Sequence, residues 1–196
     1  MFWWLILILF ILSGYFMKLS DNFYDDYDNK LLACINGVIC AVVTGLLITN
    51  NTDAVYIFSA IVIGTLFSKK IDGIHHTITL ITLIAFVLIY GFRLSVSLTV
   101  IPLILCTMGA FIDEIGNDNP NLINNRFLKF FFNHRFTMKI VVLCLSVANL
   151  LNQLYGVNMG VFSGLSSMAI VYFLGFEVAY EFADISSEKI NNLISK

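Results

Sequence analysis

Charged side chains are scarce in this sequence of 196 residues. Asp, Glu, Lys and Arg together make up 12% of it, against about 25% in ordinary soluble domains. Hydrophobic residues account for 59%, and the mean hydropathy is +0.87. A soluble fold of this length would need far more polar surface to cover its core. The composition therefore predicts an integral membrane protein.

The signatures of several soluble function classes are also missing. The net charge is −2, so the chain lacks the excess of basic residues that is typical of nucleic-acid-binding proteins. It has no Ser-His-Asp order, no His-Glu-x-x-His motif and no Gly-rich phosphate loop. A basic region and a cleavage site are lacking near Met1, so we expect the first apolar run to be retained. The cysteines lie in apolar runs without metal-ligand spacing and should be buried: Cys34, Cys40, Cys106 and Cys144.

Long apolar runs are what the sequence does have. A helix needs about 20 apolar residues to cross a bilayer, and these runs are continuous rather than alternating with a period of two. We predict an all-α polytopic bundle of about seven spans, forming one integral membrane domain over residues 1–196. The predicted spans are Phe2–Leu19, Leu31–Thr49, Ala54–Ser68, Thr77–Phe92, Leu94–Ile112, Phe136–Tyr155 and Gly160–Phe182. Pro102 should kink the fifth span.

The orientation of such a bundle follows from Lys and Arg, because cytoplasmic loops carry an excess of both. If the N-terminus is outside, every basic residue except Arg93 lies on the inner side. The acidic residues lie at or near the same side, apart from Asp53 in an outer loop. We therefore predict a multi-pass protein of the cell membrane with a cytoplasmic C-terminus. Its polar working face would comprise the inner loops 20–30, 69–76 and 113–135.

The first polar stretch, "KLSDNFYDDYDNK" from Lys18 to Lys30, concentrates carboxylates directly after an apolar run. If the helix continues past Lys18, then Asp21, Asp25 and Asp28 share one face at i, i+4 and i+7. Like charges at this spacing repel each other, and a cation among them would offset the repulsion. Oxygen ligands suit a hard ion such as Mg²⁺. The alternative is a solvated acidic loop that ends the helix at the membrane interface.

A second acidic stretch, "FIDEIGNDNP" from Phe111 to Pro120, follows the fifth span. Asp113 and Asn117 share a helical face there, and Asp118 is one step beyond. The alternative is an ordinary helix end in which Gly, Asn and Pro act as breakers.

A basic stretch, "FSKKIDGIHH" from Phe67 to His76, follows the third span. Lys69 and Lys70, together with the histidines, would supply positive charge for a polyanion held by metal. We expect that the adjacent His75 and His76 cannot both point to one site from a helix. We also expect no His-ligated transition metal, because nothing else in the sequence has its ligand pattern. The alternative is that these residues only set the membrane topology.

The last span ends in "GFEVAYEFAD", from Gly175 to Asp184. Glu177, Glu181 and Asp184 again fall at i, i+4 and i+7, and Glu177 is the deepest acid in the chain. An acid inside an apolar zone indicates function. The alternative is a partner for a nearby lysine, or a side chain that reaches the interface.

One further segment, "RFLKFFFNHR" from Arg126 to Arg135, interleaves basic residues with phenylalanine. It is too short and too charged to span a membrane. We predict an amphipathic segment that lies in the membrane interface.

The arrangement of the acidic motifs resembles that of the UbiA superfamily of intramembrane prenyltransferases. Proteins of that family are all-helical and carry two Asp-rich motifs on cytoplasmic loops, four spans apart. The stretches Asp21–Asp28 and Asp113–Asp118 have the same separation here. "SDNFYDDYDNK" differs in spacing from the family's Asn-Asp-x-x-Asp-x-x-x-Asp, and "DEIGND" has one residue more than Asp-x-x-Gly-Asp. "GTLFSKK" looks like the family's Tyr-Ser…Leu-Lys element.

This resemblance implies a Mg²⁺-dependent transfer of a prenyl group from an isoprenoid diphosphate to a membrane acceptor. The implied metal ligands are Asp21, Asp25, Asp28, Asp113 and Asp118. The residues that we assign to substrate binding are Lys69, Lys70, Asn117, Glu177 and Glu181. Mg²⁺ would neutralise the leaving diphosphate, and the apolar bundle would keep water from the allylic cation.

Two other functions stay open at this point. A non-enzymatic membrane protein would use its acidic inner face to bind a partner or lipid headgroups. A cation transporter would need an acid near the membrane midplane, and only Glu177 lies deep enough in the sequence. All three functions have membrane lipids, and not nucleic acid, as partners.

Overall fold

The computed structural model describes residues 1–71, 73–91, 99–119, 124–156, 162 and 164–194. Within these ranges all regular secondary structure is helical, which confirms the all-α prediction. The eight helices of the described residues are α1 (Trp3–Asp25), α2 (Lys30–Asn50), α3 (Thr52–Phe67), α4 (Ile74–Tyr90), α5 (Val100–Asp118), α6 (Arg126–Asn133), α7 (Phe136–Tyr155) and α8 (Ala169–Ile194).

Four helices of the described part, namely α1, α2, α5 and α7, are long and apolar enough to cross a membrane. Helices α3 and α4 are apolar but shorter, with 16 and 17 residues. The helix surfaces are apolar as well, since Leu88 and Ile89 of α4 are each 78% exposed. Extended apolar surface of this kind marks a contact with lipid or protein. These features are consistent with a membrane protein, whereas the seven-span count and the orientation stay predictions.

Helix α1 continues past Leu19, where the predicted span ends, and stops at Asp25. Buried polar side chains in this extension have partners on other helices. The Ser20 hydroxyl donates a hydrogen bond to the carbonyl oxygen of Ala33 in α2, at 2.8 Å. Helix α2 then begins after Asn29, whose side chain accepts a hydrogen bond from the backbone N–H of Leu32. Tertiary hydrogen bonds therefore extend α1 beyond its apolar run.

Helix α5 begins at Val100, so Pro102 lies in its first turn. Proline is tolerated there because a first-turn N–H has no partner within the helix. This position removes the reason for the predicted kink. The predicted start of this span at Leu94, the basic residue Arg93 and the predicted start of the last span at Gly160 lie outside the described residues.

The chain forms two compact units. Unit 1 comprises Met1–Asn51, Ile71–Leu94 and Val171–Lys196, and unit 2 comprises Thr52–Lys70 and Ser95–Ile170. Unit 1 thus contains α1, α2, α4 and most of α8, and unit 2 contains α3, α5, α6 and α7. The assignment of a single membrane domain stays a prediction.

Small residues allow the helices of unit 1 to approach closely. A Cβ added at Gly37 of α2 would lie 2.2 Å from Thr79 Oγ1 of α4. A Cβ added at Gly14 of α1 would lie 2.2 Å from the carbonyl oxygen of Phe176 in α8. Small residues at helix contacts are typical of membrane bundles. A buried apolar cluster packs around the C-terminal end of α1: Leu19, Phe23, Ala33 and Ala183.

In unit 2, α3 packs on α5, and α5 packs on α7. The contact of α3 with α5 is close at Gly64, where an added Cβ would lie 2.9 Å from the Cβ of Ala110. Asp53, at the start of α3, is 3% exposed. Its carboxylate accepts hydrogen bonds from both the backbone N–H and the hydroxyl of Ser166, each at 2.6 Å. This carboxylate ties the start of α3 to the segment that precedes α8.

Candidate metal centre

Three side chains of unit 1 bring potential metal ligands together between α1 and α4. Asp21 lies near the end of α1, and His75 and His76 lie in the first turn of α4. The Asp21 Oδ1 atom is 3.6 Å from His75 Nε2 and 4.0 Å from His76 Nδ1. One ligand atom from each residue lies within 4.8 Å of the other two.

The prediction that adjacent histidines cannot reach one site is wrong for this helix start. His75 offers its far ring nitrogen, Nε2, and His76 offers its near one, Nδ1. Adjacent residues have Cα–Cβ bonds that point in different directions. The two side chains still reach the same carboxylate oxygen, because one ring uses its far nitrogen and the other its near nitrogen. The ring centroids are only 3.9 Å apart.

His75 is almost completely buried, with 1% of its surface exposed. Its ring lies against that of Tyr24, with centroids 4.3 Å apart, and Gly73 makes room for it. A Cβ at Gly73 would lie 2.5 Å from two atoms of the imidazole. Neither ring nitrogen makes a hydrogen bond within the described residues. A buried polar atom without a hydrogen-bond partner lowers the stability of the fold by about 1–3 kcal/mol, and a bound ion is one partner that would remove this cost.

Helix α8 supports the Asp21 side of this cluster. The Tyr180 hydroxyl donates a hydrogen bond to Asp21 Oδ2 at 3.3 Å, which leaves Oδ1 facing the histidines. The Lys18 ammonium lies 5.4 Å from the centroid of the Tyr180 ring. It also pairs with Asp184 of α8 at 3.3 Å.

Asn22 adds two contacts between α1 and α8. Its amide donates hydrogen bonds to Asp184 Oδ1 at 3.1 Å and to Ser187 Oγ at 3.0 Å. Asn22 is 3% exposed and Ser187 is 2% exposed. The orientation of the last turns of α1, and therefore of Asp21, is fixed by buried polar contacts.

The other members of the first acidic stretch do not join this cluster. Asp25 is the last residue of α1 and is exposed. Asp28 follows the helix in a left-handed conformation with φ 48°, and its carboxylate lies 3.9 Å from Lys30 Nζ. Helix α1 does continue past Lys18, so Asp21 and Asp25 lie four residues apart on one face of it. The prediction is wrong for Asp28, because the helix ends at Asp25.

Asp113 has a structural role in unit 2. It is 2% exposed, and its two oxygens accept the backbone N–H groups of Thr137 at 3.0 Å and Met138 at 2.8 Å. These N–H groups belong to the first turn of α7, where they have no partner within the helix. The residue before α7, Arg135, has φ 48° and gives no side-chain cap. A carboxylate from α5 thus caps α7.

Two further residues predicted for the site, Lys70 and Asp118, form an ion pair in unit 2. Lys70 Nζ lies 2.6 Å from Asp118 Oδ1 and 4.0 Å from Glu114 Oε2. Glu114 also pairs with Arg135 at 3.7 Å. Lys69 and Asn117 are exposed. Lys70 and Asp118, predicted to bind diphosphate and metal, thus bind each other.

On α8, Glu177 is 4% exposed, whereas Glu181 is half-buried. Both belong to unit 1, as does Asp21. Asp113 and Asp118 belong to unit 2, so the two acidic stretches contribute to different compact units. Sequence reasoning assigned His75 and His76 to positive charge and not to metal binding, and it did not single out Tyr180. The available signal for His75 and His76 was a pair of adjacent histidines at a helix start, separated from Gly73 by one residue.

No family model matches the chain, and neither a curated protein nor a solved structure matches it.

Proposed function

We propose that this chain is a helical membrane protein that binds a divalent transition-metal ion in unit 1, through Asp21, His75 and His76. The observation that carries this proposal is the convergence of three ligand atoms within 4.8 Å, one of them on a buried imidazole without a hydrogen bond. The site would tie the end of α1 to the first turn of α4.

The donor set favours a transition metal over Mg²⁺. Imidazole nitrogen suits Zn²⁺, Fe²⁺, Cu²⁺ and Ni²⁺, whereas Mg²⁺ prefers oxygen ligands alone. Two ligands about 2.1 Å from a tetrahedral ion lie about 3.4 Å apart. The distances from Asp21 Oδ1 to the histidine nitrogens, 3.6 and 4.0 Å, are close to this separation. Three protein ligands would leave at least one coordination position for water or a substrate.

The first experiment measures metal affinity. The purified full chain in detergent, stripped with a chelator, is titrated with Zn²⁺, Mn²⁺ and Mg²⁺ by calorimetry. We expect Zn²⁺ to bind, and each of Asp21→Asn, His75→Gln and His76→Gln to weaken it by more than about 100-fold. A matched control is His134→Gln, since His134 is the third histidine of the chain and lies after α6. Binding of Mg²⁺ alone, or unchanged Zn²⁺ affinity in all three variants, would refute the proposal.

A second measurement uses thermal stability. A metal at 100 times its Kd stabilises the folded state by about 2.7 kcal/mol if the unfolded chain does not bind it. Zn²⁺ should therefore raise the melting temperature of the wild type and of His134→Gln, and leave that of His75→Gln unchanged.

A second candidate function is metal-dependent prenyl transfer. The position of Asp21 supports this candidate function. Asp21 belongs to the cluster with His75 and His76, and it also belongs to the stretch that resembles the first Asp-rich motif of the UbiA superfamily. An isoprenoid diphosphate would then occupy the open positions of the metal. The test is release of diphosphate from a prenyl diphosphate by the metal-loaded chain in bilayers. Release that persists in both Asp21→Asn and His75→Gln would show that this site is not involved.

A further inference from the structure

We propose that α6 presents a binding surface for the headgroups of anionic phospholipids. This α6 surface consists of Arg126, Phe127, Lys129 and Phe130. It belongs to unit 2 and does not depend on the metal site in unit 1.

The α6 surface is exposed and combines aromatic with basic side chains. Phe127 is 68% exposed and Phe130 is 54% exposed. Arg126 and Lys129 are exposed too, and neither forms an ion pair with any described residue. Aromatic rings beside basic side chains on a short amphipathic helix are typical of segments that lie in a membrane interface.

The other face of α6 fixes its orientation. The ring of Phe132 lies over Gly116 of α5, where an added Cβ would be 2.3 Å from a ring carbon. Phe131 stacks on Phe136, the first residue of α7, with centroids 5.5 Å apart. The Asn125 side chain caps the helix by accepting the backbone N–H of Phe127 at 2.9 Å. The outward direction of the α6 surface is therefore set by packing within unit 2.

The charged side chains of α6 and its flanking residues are all basic. Residues 124–139 contain four basic residues and no Asp or Glu. Two of the four are engaged within unit 2, because Arg135 pairs with Glu114 and Lys139 lies over the ring of Phe136 at 5.2 Å. Arg126 and Lys129 remain on the outward side. This charge complements an anionic partner.

The position of α6 in the chain identifies that partner as lipid. Helix α7 begins three residues after α6 ends and is long and apolar enough to cross a membrane. A helix joined so closely to a membrane span lies at the level of the headgroups. Phospholipids offer both chemistries that the surface needs, with acyl chains for the two rings and phosphate for the two cations. Basic residues near an anionic membrane surface add about fivefold each to binding.

The experiment uses the full chain in phospholipid bilayers with a tryptophan reporter on the surface. Trp3 and Trp4, which are the two tryptophans of the sequence, are replaced by phenylalanine, and Phe130→Trp supplies the reporter. Two bilayer samples contain the same mixture of phosphatidylcholine and phosphatidylglycerol. Bromine, which quenches tryptophan fluorescence, is on the acyl chains of phosphatidylcholine in one sample and of phosphatidylglycerol in the other. The ratio of the two quenching efficiencies gives the preference for the anionic lipid. A second reporter, Phe127→Trp, repeats the measurement independently.

We expect phosphatidylglycerol to be preferred and the preference to fall about 25-fold in Arg126→Gln/Lys129→Gln. A matched control is Lys30→Gln/Lys189→Gln, which removes the same charge from unit 1 and should keep the preference. Three results would overturn the proposal. The first is no quenching by either lipid, as expected if a protein or a second copy of the chain covers α6. The second is equal quenching by both lipids. The third is a loss of preference in the control variant as large as that in Arg126→Gln/Lys129→Gln.

Discussion

Replacing Asp113 by asparagine should destabilise unit 2, because this side chain caps α7 from a neighbouring helix. Its two carboxylate oxygens each accept one backbone N–H, from Thr137 at 3.0 Å and from Met138 at 2.8 Å. Asparagine keeps one oxygen but turns an NH₂ group toward the second N–H. The variant would therefore lose one charge-assisted hydrogen bond and bury an unpaired donor.

The size of this effect follows from the two losses. A hydrogen bond to a charged group contributes about 1.5–3 kcal/mol, and an unpaired buried donor costs about 1–3 kcal/mol. Allowing for relaxation around the 2% exposed side chain, we expect about 2–4 kcal/mol. For a chain of about 150–250 residues, each kcal/mol lowers the melting temperature by about 2–4 °C. Asp113→Asn should thus melt about 5–15 °C below the wild type.

The assay is thermal unfolding in detergent, followed by circular dichroism. Asp118→Asn is the matched control, since it makes the same chemical change on the same helix. Its side chain is 55% exposed and pairs with Lys70 at the surface, so about 1 kcal/mol or less is expected. The reasoning is refuted if both variants melt alike. If Asp113→Asn keeps its stability but loses a bound metal ion, Asp113 is a ligand and not a cap.

Three further predictions concern unit 1. Tyr180→Phe should weaken metal binding about 10-fold, because the hydrogen bond from Tyr180 orients the metal ligand Asp21. The control is Tyr15→Phe, which removes the hydroxyl contact with Ser186. Equal metal affinities in both variants would contradict the prediction. Gly14→Ala should destabilise the fold by about 2 kcal/mol, because the added Cβ would clash with a backbone carbonyl oxygen of α8, which cannot move aside as a side chain can. An unchanged melting temperature would mean that α1 and α8 are further apart than the structure shows. Metal affinity should decrease as the pH is lowered, because protons compete with the metal for its ligand atoms. An affinity that stays constant down to the pH at which the fold is lost would contradict the proposed site.

Helix positions were predictable because they depend on local sequence. Each predicted span corresponds to a helix, and the amphipathic segment corresponds to α6. The helix ends were less predictable, since they depend on tertiary contacts. Helix α1 runs on to Asp25 because Ser20 and Asn22 have buried partners on α2 and α8. Only one predicted metal ligand, Asp21, belongs to the candidate metal centre.

The sequence by itself determined that this chain is a set of apolar helices, because continuous apolar runs favour helices whose surfaces avoid water. It also located the polar residues at helix ends, where charge can remain solvated. It did not determine which polar groups meet, since that depends on how distant helices pack. Small residues such as Gly37 allow α2 and α4 to approach closely, and Asp21 meets two histidines of α4. Only the tertiary structure decided that Asp113 caps a helix while His75, whose ring nitrogens make no hydrogen bond within the described residues, faces a carboxylate.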